Sequence, residues 1–382
     1  MHEHKQNQCK RKVKHRKNVM GLIIFCITVG IAFMFTYYQN LRKEISARQK
    51  WLETVLTGEK KWILENQGPE GEIYMNGSKA GDVNPYFACV AALGLLTETK
   101  NCPMTETEKK AVGRYLDWHT GILLETDGKM GIYRKESGKL IYKEKADSED
   151  GYLGMYLFLM GKYLEKTEST DLPEYWKKGI SLALKKIQSL MQDGITQVSE
   201  ENTTAYLMDN LEVWKGLYEL ELAGLEDTQT ISEIRKKIQE QIEKTFWDDA
   251  NQRWRIIGNS NLYHRTEFYP DGVAQIYPLI YEFPVKEKKK QKILYDQFTE
   301  KFQWQKLNKK RTGFLWAMTG MAAAQMGDIN NLVELIGNYE TEYCENRKYP
   351  LYTGEAGWIC MECGKLYGLY ERKIKTGFIL CA

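Results

Sequence analysis

The chain has 382 residues, of which 43% are hydrophobic, and its 54 basic residues nearly balance its 51 acidic ones to give a net charge of +3. A chain of this length can bury a large core. Its near-neutral charge argues against a nucleic-acid partner, because phosphate binding needs a clustered basic face. The basic run KEKKKQK at positions 286–292 is interpreted as the solvated face of an outer helix.

The N-terminal segment has the pattern of a membrane anchor. Residues 1–17 are rich in lysine and arginine, and no charged residue occurs from Asn18 to Leu41. About 20 apolar residues can cross a bilayer as a helix, and flanking basic residues tend to stay in the cytoplasm. We therefore expect a basic cytoplasmic tail (1–17), a transmembrane signal anchor in the lipid bilayer (18–41) and an extracellular domain (42–382). A cleaved signal peptide is less favoured, because the apolar stretch is too long and lacks a small-x-small site.

Six apolar segments rich in small residues recur along the rest of the chain, beginning about 40–70 residues apart, and each is paired with a charged amphipathic segment. They are Asn84–Leu96, Ser148–Leu164, Thr204–Gly224, Tyr269–Phe283, Arg311–Gly327 and Gly354–Glu371. The repeat predicts six helical hairpins closed in a ring, an all-α (α/α)6 barrel with the apolar segments as inner helices. Minor β-hairpins are expected at 128–142 and 247–263, where apolar residues alternate around turn residues.

Acidic residues cluster where these inner helices are expected to begin. Helix starts on one rim of a barrel converge, so several carboxylates should share one cleft. Repulsion between these like charges should raise the pKa of some of the carboxyl groups. Two carboxyl groups flanking one bond are what glycosidic cleavage requires. The alternative for any single residue is helix capping. The acidic candidates are Asp82, Glu149, Asp150, Asp209, Glu212, Asp271 and Glu355.

Aromatic residues near the same helix starts are candidate sugar-binding residues, with ordinary core filling as the alternative. The candidates are Tyr86, Tyr152, Tyr206, Tyr269, Trp316 and Trp358. No cofactor or metal is expected, because only His119 and His264 lie beyond the N-terminal segment and no second CxxC or histidine pair accompanies Cys360 and Cys363.

The segment SEDGYLGM at positions 148–155 resembles the Ser-Glu…Gly-Met segment of glycoside hydrolase family 8, one of the six-hairpin glycosidases. That family includes endoglucanases, chitosanases and cellulases encoded beside bacterial exopolysaccharide synthases. The resemblance implies Glu149 as the general acid of an inverting mechanism, Asp271 as the general base, and the helix start at Asp209 as the segment that holds the sugar. Our own interpretation leaves either Asp271 or Asp209 to activate water. The resemblance also suggests an exopolysaccharide synthesis complex as a partner. The arginine that the family places three residues after its base is replaced here by Ala274.

The sequence therefore predicts a membrane-anchored, extracellular glycoside hydrolase that cleaves a cell-surface or exported polysaccharide. Two alternatives stay open. One is a lyase or unsaturated-uronide hydrolase on the same barrel, for which His264 and Arg265 are the local candidate pair. The other is a non-catalytic glycan-binding or exopolysaccharide assembly protein that keeps the barrel and its aromatic residues.

Overall fold

The computed structural model of the chain describes residues 2–77, 81–137, 139–169, 172–225, 228–258, 260, 267–307 and 313–381, with side chains outside positions 2–19, 21–24 and 377–381. The chain divides into two units, Leu52–Leu366 and Met1–Trp51 with Tyr367–Ala382. Helix α1 runs without interruption through the predicted boundaries at 17/18 and 41/42, which stay predictions.

The described residues form twelve α-helices, three small sheets and a few irregular helical turns. The helices are α1 (His2–Glu65), α2 (Pro85–Leu95), α3 (Glu106–Glu125), α4 (Glu149–Thr167), α5 (Glu174–Leu190), α6 (Leu207–Leu222), α7 (Thr228–Phe246), α8 (Val273–Ile280), α9 (Lys288–Phe302), α10 (Thr319–Met326), α11 (Ile329–Tyr339) and α12 (Thr353–Cys381). The strands are β1 (Asp82–Val83), β2 (Gly131–Glu136), β3 (Lys139–Lys145), β4 (Met191–Gln192), β5 (Ile195–Thr196), β6 (Trp247–Asp248) and β7 (Arg253–Trp254).

The strands pair only locally. In the largest sheet β2 pairs antiparallel with β1 and β3, while β4–β5 and β6–β7 are two-stranded. The hairpins predicted near 128–142 and 247–263 are therefore confirmed as β2–β3 and β6–β7, although β6 and β7 have only two residues each. The β2–β3 hairpin leads directly into α4 and so stands beside the start of an inner helix.

Helix starts in Leu52–Leu366 use local capping residues. Asn84 accepts hydrogen bonds from the backbone N–H groups of Tyr86 and Phe87 before α2, and Pro85 occupies the first helical position. Ser148 accepts one from the N–H of Gly151 at the start of α4. These caps fix where the first turns begin and hence which side chains face the barrel axis.

The inner helices approach one another so closely that glycine is required at their contacts. A Cβ added to Gly216 on α6 would lie 2.2 Å from the carbonyl oxygen of Gly154 on α4, and one added to Gly94 on α2 would lie 2.6 Å from the Cα of Gly357 on α12. Further along the ring, α4 packs on α6, α6 on α8, and α8 on α10. Because Gly320 on α10 lies against Glu362 on α12, the inner ring is closed.

A second layer of amphipathic helices surrounds this ring. Each of α3, α5, α7, α9 and α11 packs on the inner helix that precedes or follows it. The Leu52–Glu65 part of α1 completes the layer, where Lys60 pairs with Glu108 of α3 at 3.2 Å and Glu59 accepts a hydrogen bond from Tyr339 of α11 at 2.8 Å. The predicted all-α (α/α)6 barrel is therefore confirmed for Leu52–Leu366.

The fifth inner helix is shorter than predicted. Helix α10 begins at Thr319 instead of near position 311. The backbone N–H groups of Leu315, Trp316 and Ala317 bond the carboxylate of Glu355, and Trp316 has a positive φ of 60°. These amides are held by a side chain from α12, so this segment is a loop that enters the barrel.

The N-terminal part of α1 belongs to the other unit. Its side chains Phe25, Ile31, Phe33 and Phe35 are all more than half exposed. Within the part of the chain that the structure describes, the helices contain no stretch that meets the length and hydropathy of a membrane span.

Replacing Gly216 with alanine should destabilise the barrel by about 1–3 kcal/mol, because the new methyl group would overlap the backbone of α4. Gly121→Ala on α3 is the matched control. No atom lies within 4 Å of its added Cβ, so it should be stabilising by about 0.5–1 kcal/mol. Urea unfolding midpoints of the two variants check this, and similar midpoints would show that close inner-helix packing does not limit stability.

Candidate active site

A cavity of about 600 Å³ opens where the inner helices begin. It is lined by residues at or near the first turns of every inner helix and by the β2–β3 hairpin. These include Tyr86 and Phe87 from α2, Ser148, Gly151 and Tyr152 at α4, Met208, Asp209 and Glu212 from α6, Tyr269 and Tyr277 at α8, Phe314 and Trp316 before α10, Glu355 and Trp358 from α12, and Ile132, Glu144 and Asp147. Convergence of the helix starts therefore brings sequence-distant side chains to one place.

Glu212 is held in the cavity wall by tyrosine hydroxyl groups. Its Oε1 accepts hydrogen bonds from Tyr86 and Tyr277, both at 2.6 Å, and a longer one of 3.3 Å from Tyr281. Only 3% of the residue is exposed, and this burial raises the pKa of Glu212 to about 7 although the hydroxyl groups lower it. The carboxyl is thus fixed in orientation and can hold or release a proton near neutral pH.

Asp209 lies one helical turn before Glu212 and faces the same cavity. Burial raises the pKa of Asp209 well above its ordinary value, and the nearby charges of Asp150 and Glu212 raise it further. Asp150 is fully buried, and this burial raises the pKa of Asp150 to about 6 although hydrogen bonds from Ser148 at 2.8 Å and Thr196 at 2.7 Å lower it. Asp209, Asp150 and Glu212 therefore form a group of neighbouring carboxyls whose pKa values are all raised.

Glu355 connects α12 to the loop before α10. Its two oxygens accept hydrogen bonds from the N–H groups of Leu315, Trp316 and Ala317 at 2.8–3.1 Å. Burial raises the pKa of Glu355 to about 7, against the lowering effect of these three donors. The contact holds Trp316 in the cavity wall, where its ring lies 4.7 Å from that of Tyr269.

Eight of the predicted site residues line the cavity. They are Asp209, Glu212, Glu355, Tyr86, Tyr152, Tyr269, Trp316 and Trp358. Asp150 is buried beside them and contacts the lining residue Ser148. The expectation of a shared cleft therefore holds for most of the set, while the catalytic and binding roles stay predictions.

Glu149 and Asp271 are not brought to this cavity, which corrects the expectation that they converge there with Asp209. Glu149 lies 3.4 Å from Lys145 and lines a separate small pocket with Lys186. Successive residues of a helix point about 100° apart, so Glu149 faces away although Ser148 lines the cavity. Asp271 is 2% exposed and lines another pocket, which Phe302 of α9 also lines.

Asp82 and Tyr206 also lie outside the cavity lining. Asp82 pairs with Arg134 at 2.6 Å and Lys143 at 2.8 Å on the β1–β3 sheet, and the hydrogen bond from Arg134 lowers the pKa of Asp82. Tyr206 precedes α6 and forms a backbone bridge to Ile257. His264 and Arg265 lie outside the described residues.

Sequence reasoning missed several residues that help to form the site, among them Glu144, Phe314 and Tyr281. Glu144 and Phe314 line the cavity, and Tyr281 is one of the hydrogen-bond donors to Glu212. Tyr277 and Tyr281 are four residues apart and so lie on one helix face, and this spacing could have predicted that Tyr281 belongs to the site. Glu144 and Phe314 carry no such signal, because they lie in a hairpin and a loop whose position depends on the surrounding helices.

Neither the family models nor the curated protein sequences match this chain. Several solved structures are similar to this chain. A glycosidase variant is 11% identical with a TM-score of 0.61, and the match covers 85% of this chain and 99% of that chain. An inactive variant of the α-1,6-mannanase GH76A of Salegentibacter sp. HEL1_6, in complex with α-1,6-mannotetrose, is 10% identical with a TM-score of 0.57, covering 83% and 99%.

A third similar structure is a D-mannose isomerase, 10% identical with a TM-score of 0.54, covering 82% of this chain and 97% of that chain. Likeness at such low identity shows the fold alone, since one fold serves unrelated reactions. The resemblance to six-hairpin glycosidases is thus confirmed at the level of the barrel. The finer resemblance to glycoside hydrolase family 8 stays a prediction.

Replacing Glu212 with glutamine should change how stability depends on pH. The folded protein raises the pKa of Glu212 from 4.5 to about 7, so between these values the unfolded chain releases a proton that the folded chain retains. Stability of the wild type therefore falls as pH rises through this window, by about 3 kcal/mol relative to Glu212→Gln. Urea unfolding of both proteins from pH 4 to pH 8 measures the difference, and parallel curves would contradict it.

Proposed function

We propose that this protein is a glycoside hydrolase and that it cleaves a polysaccharide in the cavity at the inner-helix starts. The observation that carries the proposal is the cavity, where Asp209, a carboxyl with a raised pKa, and Asp147 lie among aromatic rings. A general acid must be protonated when the substrate binds, and aromatic faces can stack on sugar rings. The barrel, shared with known glycosidases, supports the same proposal.

Asp209 and Asp147 are proposed as the acid and base. Asp209 donates its proton to the glycosidic oxygen, and the bond from that oxygen to the anomeric carbon breaks with its electron pair on the leaving group. Asp147 is exposed and lines the same cavity. It accepts a proton from water, whose oxygen forms the new bond to the anomeric carbon. This single displacement inverts the anomeric centre.

Glu212 is proposed to bind the sugar beside the scissile bond. Its Oε1 is occupied by tyrosine hydroxyl groups, whereas its Oε2 lies on the side of Gly151. A Cβ at Gly151 would lie 2.7 Å from that oxygen, so the glycine keeps space open in the cavity wall. A sugar hydroxyl can therefore donate a hydrogen bond to Oε2.

The substrate is proposed to be a polysaccharide of the cell surface or one under export. We do not propose the α-1,6-mannan linkage that the similar mannanase cleaves. That enzyme is inactivated by changing two consecutive aspartates. The consecutive aspartates of this chain are Asp248 and Asp249, which lie at the β6–β7 hairpin and do not line the cavity. The partnership with an exopolysaccharide synthesis complex and the non-catalytic and lyase alternatives stay predictions.

Residues 18–41 are proposed as the membrane anchor, with residues 42–382 outside the cell. The uncharged run from Asn18 to Leu41 and the basic residues before it support this orientation. The large exposed side chains of Phe25, Phe33 and Phe35 on α1 are of the kind that lipid would cover.

Asp209→Asn should reduce polysaccharide hydrolysis by at least about 100-fold while retaining binding, because asparagine has the shape of aspartate but cannot donate the proton. Glu149→Gln is the matched control, since Glu149 lies outside the cavity and should retain near wild-type turnover. Release of reducing ends from α-1,6-mannan, soluble starch, carboxymethylcellulose and chitosan measures both. If Glu149→Gln abolishes turnover and Asp209→Asn does not, the family-8 assignment is right and the cavity assignment is wrong.

The double replacement Val29→Arg with Phe33→Arg should release the protein from membranes. Each arginine at the centre of an apolar helix opposes insertion by about 2.5–3.5 kcal/mol. Ile293→Arg is the control, because Ile293 is an exposed apolar residue of outer helix α9 and is 55% exposed. Sedimentation after carbonate extraction separates the outcomes, and a wild-type chain found in the soluble fraction would rule out the anchor.

A further inference from the structure

A continuous series of aromatic rings extends from the cavity to the protein surface. Ring centroids of neighbours along the series lie 4.7–6.0 Å apart. We name it the aromatic track, and its members in order are Tyr269, Trp316, Phe314, Tyr352 and Tyr349, with Phe87 stacked on Phe314 at 5.4 Å.

The inner half of the track belongs to the cavity and the outer half does not. Tyr269, Trp316 and Phe314 line the cavity, whereas Tyr352 and Tyr349 lie beyond its lining. Exposure is greatest at the outer end, where Tyr349 is 71% exposed. The track is therefore a path of ring surfaces that continues where the cavity ends.

The outermost ring, Tyr349, has a single ring neighbour on the track. Tyr349 meets Tyr352 edge to face at 79°, which leaves most of the Tyr349 ring uncovered. Its hydroxyl group lies 2.9 Å from the position that a Cβ on Gly313 would occupy, so a large side chain at position 313 would displace the ring. Phe87 lies equally close to Gly354. A tyrosine ring has only two side-chain torsions to order, so an exposed ring of this kind binds a ligand with little loss of conformational entropy.

We infer that the outer end of the track, Tyr352 and Tyr349, binds sugar units of a long polysaccharide chain outside the cleavage cavity. This inference rests on the proposed function. A short oligosaccharide that fills the cavity does not reach Tyr349, whereas a polymer does. The track therefore makes the enzyme selective for long polysaccharide chains that bind along their length. Such chains are the substrates of endo-acting enzymes.

The test uses the full-length Asp209→Asn protein, so that bound polymer is not cut. Native electrophoresis through gels containing α-1,6-mannan, soluble starch, carboxymethylcellulose or chitosan measures polymer binding, and calorimetry measures binding of the corresponding trisaccharides. Adding Tyr349→Ala should weaken binding of the retarding polymer about three- to tenfold while leaving trisaccharide binding unchanged. Gly313→Leu should act in the same direction by displacing the ring.

Tyr142→Ala is the matched control. Tyr142 is 54% exposed and meets Tyr133 edge to face at 81° and 5.9 Å, which closely repeats the geometry of Tyr349 away from the track. It should leave polymer binding unchanged. The inference is overturned if Tyr349→Ala has no effect, if it weakens trisaccharide and polymer binding equally, or if no polymer retards the protein.

Failure of the proposed function gives a different result. If wild-type protein releases no reducing ends but Tyr349→Ala still weakens polymer binding, the track stands and the hydrolase proposal fails. If wild-type protein cleaves a polymer whose binding does not depend on Tyr349, the hydrolase proposal stands and the track fails.

Discussion

The close approach of the inner helices at glycine residues is the constraint on which the rest of the barrel depends. Where Gly216 meets Gly154 and Gly94 meets Gly357, a single methyl group would overlap backbone atoms. This packing draws the inner helices into a closed ring, and it brings their first turns to one rim. The cavity and its carboxyl groups follow from that convergence, because no local segment contains more than a few of its members.

Two acidic residues of the barrel, Glu282 and Glu212, have pKa values shifted in opposite directions. At the end where the inner helices finish, Glu282 is paired with Lys215 at 2.9 Å and also with Lys365. Burial alone would raise the pKa of Glu282, but these lysines lower it to about 2. In the cavity, Glu212 is bonded to neutral hydroxyl groups and Asp209 faces other carboxyls, so burial prevails and their pKa values rise. The groups around a carboxyl therefore decide whether its pKa is raised or lowered in this barrel.

The site could be predicted in part because helix starts are visible in the sequence. Capping residues and the apolar repeat located Asp209, Glu212 and Glu355 near the first turns that the structure brings together. The same reasoning included Glu149 and Asp271, which point elsewhere. Sequence spacing predicts the position of a residue along a helix only to within about one residue. A shift of one residue rotates the direction of a side chain about the helix axis by about 100°.

The sequence by itself determined the repeat of six helical hairpins, the glycines at the inner contacts and the uncharged segment near the N-terminus. These depend on composition and periodicity, which are local properties. Only the tertiary structure decided which carboxyls face the cavity, which of them have a raised pKa, and that the loop at Trp316 is held by Glu355 from α12. Those features depend on burial and on contacts between distant residues, because a carboxyl responds to the groups that surround it in space.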